Sequence, residues 1–320
     1  MTDIVIASAI AGQPRRERRR WRILLGLALF CLVSLVFDIG TGPSMLAPGD
    51  VVAALLRLDG TEPMTLTIVN DLRLPMALMA LVVGAALGAG GAEIQTLLNN
   101  PMASPYTLGL AAAAGLGAAF SIFTGGFGLH PALSVPLGAF FFSMLASGFL
   151  FLIASIGRVS STMLVLAGIA LLFLFQSLLS LLQFISSPEV GQQILFWLFG
   201  SLTKTTWTNL LVTAGVTIVC IAILFRDAWK LTALRLGEAR AQSLGVSLTR
   251  LRLTTLLVTG LMTSTAISFV GIIGFVGLVA PHVARILVGE DQRFFLPLSM
   301  IAGAAFLSLA SVVSKVVIPG

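Results

Sequence analysis

Residues 163–184 read MLVLAGIALLFLFQSLLSLLQF, without one aspartate, glutamate, lysine or arginine. A helix rising about 1.5 Å per residue needs roughly 17–25 apolar residues to cross a hydrocarbon core, and this run meets that length. Apolar and polar residues do not alternate along it, so it lacks the signature of a membrane β-strand. Outward from it, comparable runs lie at about 21–40, 74–96, 107–125, 132–154, 208–225, 254–273, 274–288 and 296–314, the one at 274–288 being short. The chain is 57% hydrophobic and 10% charged, with a mean hydropathy of +1.03, against about 25% charged residues in soluble domains. The expected fold is an all-α integral membrane protein with nine visible spans.

One interval breaks the pattern. Between two apolar runs, Arg226 to Arg252 is polar and basic, and its middle reads LTALRLGEARAQSLGVSL. Leu234, Ala241, Leu244 and Leu248 recur at helical steps, which predicts one apolar face with Arg235, Glu238 and Gln242 turned elsewhere. Gly237 and Gly245 punctuate it, so two short helices are expected, the second ending at Gly245. From the residues alone the interval reads either as a docking segment or as a solvated loop joining two spans.

Cations set the orientation. With the amino terminus in the cytoplasm, fifteen of the 19 basic residues fall inside: Arg15, Arg16, Arg18, Arg19, Arg20, Arg22, Arg158, the six from Arg226 to Arg252, Arg285 and Arg293. Arg57, Arg73, Lys204 and Lys315 fall outside, together with Asp38, Asp50, Asp59, Glu62, Asp71 and Glu189. That bias favours the assignment, places the net charge of +6 on the cytoplasmic face, and argues against nucleic acid as a partner. Residues 1–22, with PRRERRRWR, read as a cytoplasmic segment anchoring the first span; no small-residue cleavage pattern follows it. Cys31 and Cys220 lie alone inside apolar runs.

An internal echo adds topology. LRLP at 72–75 is followed by Pro101 and Gly109, and LRLT at 251–254 by Pro281 and Gly289. The two copies enter the membrane from opposite sides in the orientation above, which predicts an inverted repeat of the kind transporters use to open to either side.

Chemistry is conspicuously sparse. The chain has no GxxxxGK[ST] loop, HExxH, GxSxG or CxxC, and His130 and His282 cannot make a multi-histidine metal site. Glu93, within a predicted span, falls near its cytoplasmic end, where reaching the interface competes with proton relay. No catalytic residues, metal ligands or bound cofactor are expected.

Four motifs in order carry a resemblance: LRLP with Arg73, GAALGAGGAEIQTLLNNPMASPYTLG at 84–109, LRLGEARAQSLGV at 234–246, and GFVGLVAPHVARILVGEDQRFFLPLS at 274–299. Together they resemble the transmembrane permeases of ATP-binding-cassette (ABC) importers for ferric siderophores, haem and cobalamin. The resemblance implies a ten-span helical permease in a bacterial inner membrane, paired with a second, identical or different, permease. It also implies two cytoplasmic ATPase subunits that hold the ATP, and a periplasmic binding protein that delivers the substrate. A ferric siderophore is the first expectation for that substrate, haem and cobalamin following. Residues 23–320 then form the permease domain, and 228–250 hold the segment coupling it to the ATPase through Leu234, Gly237, Glu238, Ala241, Leu244 and Gly245. The resemblance places the cytoplasmic gate at Asn100 and Met102, in NNPMASP, and at Ser161 and Thr162, in RVSSTMLVLAG. From the residues themselves, Asn99, Asn100 and Pro101 also read as helix termination, and Ser161 and Thr162 as a helix cap. Arg73 and Lys315 are implied as contacts for the binding protein, although Met76 departs from the family pattern and Ser311 and Lys315 replace an aspartate and an arginine. His282 and Arg285 are expected to brace the short eighth span by hydrogen bonds. Relatives continue past the ninth span with one more helix, whereas this sequence stops at Pro319 and Gly320, which suggests a truncated last span. A secondary carrier with inverted repeats is the reading from another class; it would work without an ATPase.

Overall fold

The computed structural model describes residues 2–42, 46–156 and 159–317, with side chains described from Arg16 onward. Arg158, counted above among the inner cations, the side chain of Arg15 and the end at Pro319 and Gly320 lie outside the described residues. The architecture is helical throughout the described residues: α1 (Thr2–Gly40), α2 (Pro48–Leu55), α3 (Pro63–Thr67), α4 (Leu74–Leu97), α5 (Leu110–Phe123), α6 (Pro131–Ser155), α7 (Ser161–Ile185), α8 (Pro188–Leu198), α9 (Trp207–Leu234), α10 (Glu238–Ser243), α11 (Leu248–Val270), α12 (Val276–Val288) and α13 (Gln292–Val317). A π-helical stretch, Ile68–Arg73, joins α3 to α4. Among the described residues, seven helical runs are long and apolar enough to cross a membrane, while α5 and α12 are shorter apolar helices.

Every expected apolar run is helical, but the boundaries moved. The span expected to end near 225 continues to Leu234, so the first third of the basic interval is the end of α9 and not a separate short helix. The short helices α2, α3 and α8 were not anticipated, although α8 has a legible start. Ser187 caps it by accepting a bond from the Val190 amide at 3.4 Å, and Pro188 occupies its first turn.

Helices α4 and α11 form the centre: 61% and 72% of their most apolar windows are buried, against 22% for α1 and α7. Small residues allow this. A Cβ on Gly84 or Gly88 of α4 would run into the Gly303 or Ser299 carbonyl of α13. Likewise Gly260 of α11 lies on Ser147 of α6, and Ser264 hydrogen-bonds Ser143 at 2.7 Å. In hydrocarbon, where apolar burial gives helices little reason to associate, such close backbone approach supplies the contact energy. The packing has a pattern. Helix α4 meets α12 and α13 as α11 meets α5 and α6, and α5 lies on α6 as α12 lies on α13. The echo read from the sequence has a different register. Pro101 sits in a turn while Pro281 is inside α12, and Gly109 precedes α5 whereas Gly289 ends α12.

A paired substitution tests the seam. Gly91→Val points a side chain at the backbone of Gly277 and is expected to destabilise the purified protein by about 1–3 kcal/mol or more. Gly148→Ala, with open space around its Cβ, should leave the thermal midpoint in detergent unchanged or slightly raised.

Candidate functional site

The basic interval folds into a short helix between two glycines that only a left-handed backbone accommodates. Gly237 has φ +100° and Gly245 φ +84°. At the second, the Val246 amide bonds the Ala241 carbonyl at 3.1 Å and the Gly245 amide bonds that of Gln242 at 2.9 Å, the paired bonds of a Schellman cap. Leu234, Ala241, Val246 and Leu248 are buried and pack with Ile94, Leu97 and Leu231 in one apolar cluster. Leu244 does not join them. It is 56% exposed, as is Leu236; α10 ends at Ser243, so Leu244 is its C-cap and no longer follows the helical face that buries Ala241. Of the six residues expected to couple to an ATPase, Leu234 and Ala241 hold the segment to the body, the two glycines shape it, and Leu244 and the half-exposed Glu238 face outward.

Two arginines flank this helix. Arg235, with 15% of its side chain exposed, donates to Asn99 Oδ1 at 3.3 Å and Thr96 Oγ1 at 3.2 Å, and lies 3.4 Å from Glu290. Burial depresses its pKa, Glu290 and Glu93 opposing that shift while Arg285 reinforces it. Arg252 spans a gap with both arms of its guanidinium: one donates to Glu238 Oε1 at 2.6 Å, the other to the Val159 carbonyl at 2.9 Å. Around Arg235 the polar contacts continue. Gln292 donates to Thr96 Oγ1 at 2.7 Å, and Arg285 donates to Gln95 Oε1 at 2.8 Å while lying 3.1 Å from Glu290. Arg285 thus braces α12 as expected, whereas His282 is exposed. Glu93 is fully buried beneath this network, so its carboxylate does not reach the interface.

The residues singled out as a gate sit in two turns beside the same apolar cluster. Helix α4 ends with Asn99 at φ +46°, the Asn100 amide bonding the Gln95 carbonyl at 3.0 Å. Asn100 Oδ1 then accepts from the Met102 amide at 2.9 Å, and Met102 is 66% exposed. At the other turn the cap is Ser160, whose hydroxyl accepts from the Met163 amide at 3.2 Å. Ser161 and Thr162 are the first residues of α7, half-buried and exposed respectively, and neither is the cap.

At the opposite end of the bundle, Arg73 and Lys315 do not present free cations outward. Arg73 is buried and donates to the Ile39 and Gly40 carbonyls at 3.1 Å each. Lys315 meets Asp38 Oδ1 at 2.6 Å and the Asp38 carbonyl at 3.1 Å, and Ser311 adds a bond to Asp38 at 2.9 Å. Both cations close the end of α1, where unpaired carbonyls and the helix dipole attract positive charge. Sequence reasoning also passed over Arg235, Arg252, Thr96, Gln292 and Asp38, whose partners are distant in the chain; their only signal was charge or polarity beside an apolar run.

Long apolar spans meeting along small-residue seams, with a short helix tethered at one end by buried arginines, define a multi-span helical permease. The chain belongs to the FecCD transport family, whose model matches residues 29–320, and is an ABC-importer permease. It is 34% identical over 298 residues to the molybdate import system permease of Haemophilus influenzae, covering 92% of this chain and 88% of that one. It is 33% identical over 307 residues to the vitamin B12 import system permease of Klebsiella pneumoniae, with 96% and 88% covered. The hemin transport system permease of Yersinia pestis shares 32% over 300 residues, with 93% and 88% covered. Among solved structures, one described as an inward-facing conformation of an ABC transporter assigned to the metal-chelate type matches with a TM-score of 0.82. That likeness has 31% identity and covers 93% of this chain and 92% of the other.

Proposed function

We propose that this chain is one of two permease subunits of an importer that carries an iron–siderophore complex across the inner membrane, its amino terminus in the cytoplasm. Two separate ATPases drive alternating access, and a periplasmic binding protein delivers the substrate. The observation that carries this reading is α10: a short helix fixed through Ala241 on one side and exposing Leu236, Leu244 and Arg240 on the other. A surface rimmed with arginine around apolar side chains suits a protein partner, and Gly237 and Gly245 set its two ends. Nine spans are proposed, α5 and α12 completing the set. Support for an inverted repeat comes from the matched packing of α4 with α12 and α13 and of α11 with α5 and α6. The gate is assigned to Asn100, Met102, Ser161 and Thr162, whose turns flank the cluster that buries Ala241.

The iron assignment draws on relatives named for Fe(3+)-citrate, hemin and siderophores, which stand beside others named for molybdate and vitamin B12. Titrating the cognate binding protein with a ferric hydroxamate, hemin, cobalamin and molybdate tests it. Tightest binding of the ferric hydroxamate is expected; preference for any of the others reassigns the substrate.

A further inference from the structure

The start of helix α10 is tied to two different turns, and each tie runs through one arginine. At its start, Arg235 reaches the end of α4 through Asn99 Oδ1 and Thr96 Oγ1. Its first residue, Glu238, is joined through Arg252 to the Val159 carbonyl on the approach to α7. The two ties share no hydrogen-bonding group. Gly237 and Gly245 bound the helix, both at positive φ, and neither has an atom within 4 Å of where a Cβ would lie. The tie through Arg252 depends on its fork, because one planar guanidinium serves Glu238 and Val159 at once; an ammonium would serve them poorly.

We propose that Arg235 and Arg252 are positioning residues that pass displacement of α10 to two separate turns, Arg235 to the α4–α5 turn and Arg252 to the start of α7. The inference rests on α10 being the ATPase contact and deepens that reading by dividing its output between two routes. A demonstration of coupling needs a two-state response at each turn, not proximity alone.

The chain's native cysteines, Cys31 and Cys220, are both buried, so a cysteine introduced at the exposed positions Met102 or Thr162 reports on one turn at a time. In the complex with its ATPase, maleimide labelling of Met102→Cys and Thr162→Cys is measured with and without ATP and vanadate. In the otherwise unaltered chain the labelling rate at both positions is expected to change by roughly fivefold or more. Arg235→Gln should abolish the change at position 102 and spare 162. Arg252→Gln should do the reverse. Glu238→Gln, at a half-exposed residue, should reproduce the Arg252 effect while leaving the bond to Val159 in place, and Arg252→Lys should rescue only in part. Lys204→Gln, at an exposed residue outside the 228–250 segment, is the control and should alter neither. Equal loss at both positions from each variant, or no loss from either, overturns the two-route inference. Failure of the unaltered chain to retain its ATPase, or to respond to nucleotide, overturns the docking reading itself and the inference with it.

Discussion

Leu244→Glu is expected to release the ATPase subunits from the permease while leaving the chain inserted and folded. Leu244 is more than half exposed at the end of a six-residue helix, so removing it opens no cavity in the body. A carboxylate at the centre of an apolar contact must either lose its water or hold the surfaces apart. A hot-spot residue is worth about 2–4 kcal/mol, so the ATPase affinity should fall roughly 30- to 1000-fold. The contrast with Ala241 is instructive, because that residue is fully buried and Ala241→Glu should collapse the segment instead. Pull-down of the ATPase by tagged permease, with yield and monodispersity measured alongside, checks the prediction. Undiminished retention would remove α10 from the interface.

Lys315→Met is expected to produce the largest loss of stability. Asp38 is fully buried and Lys315 nearly so, and their 2.6 Å contact fastens α1 to α13. Burying two charges is costly, which makes the intact pair poor evidence of net stabilisation. Removing one partner is different, because it strands the other in the interior, at about 3–5 kcal/mol. Asp38→Asn combined with Lys315→Met should recover much of that loss, the coupling that a double-mutant cycle isolates. Thermal unfolding of the four proteins in detergent measures it. A double variant as unstable as the sum of the singles would show that the contact is incidental.

The same clamp explains where sequence reading stopped. The spans were legible because each is a continuous apolar run, and a helix is the form such a run takes in hydrocarbon. The buried face of the basic interval was legible at Leu234, Ala241 and Leu248, where spacing is helical. Spacing misplaced Leu244 because α10 ends one residue before it, at Ser243. Arg73 and Lys315 were readable as cations at span ends, but their direction was not: each reaches α1, and Asp38 lies 277 positions from Lys315. Arg252 and Glu238 are 14 positions apart and on different helices, so no helical spacing pairs them. The sequence suggested a repeat through LRLP and LRLT, while the small-residue seams bring together Gly84 with Gly303 and Gly260 with Ser147. Close approach of glycine and serine leaves little trace in hydropathy.

This permease is expected to be powered through α10 and not by an ion gradient. Uptake of a radiolabelled ferric hydroxamate into proteoliposomes, with the permease alone and with its ATPase and binding protein, tests it most directly. The account predicts uptake only in the full assembly, dependent on ATP and indifferent to ionophores that collapse proton and sodium gradients. Uptake by the permease alone, driven by either gradient, would contradict it.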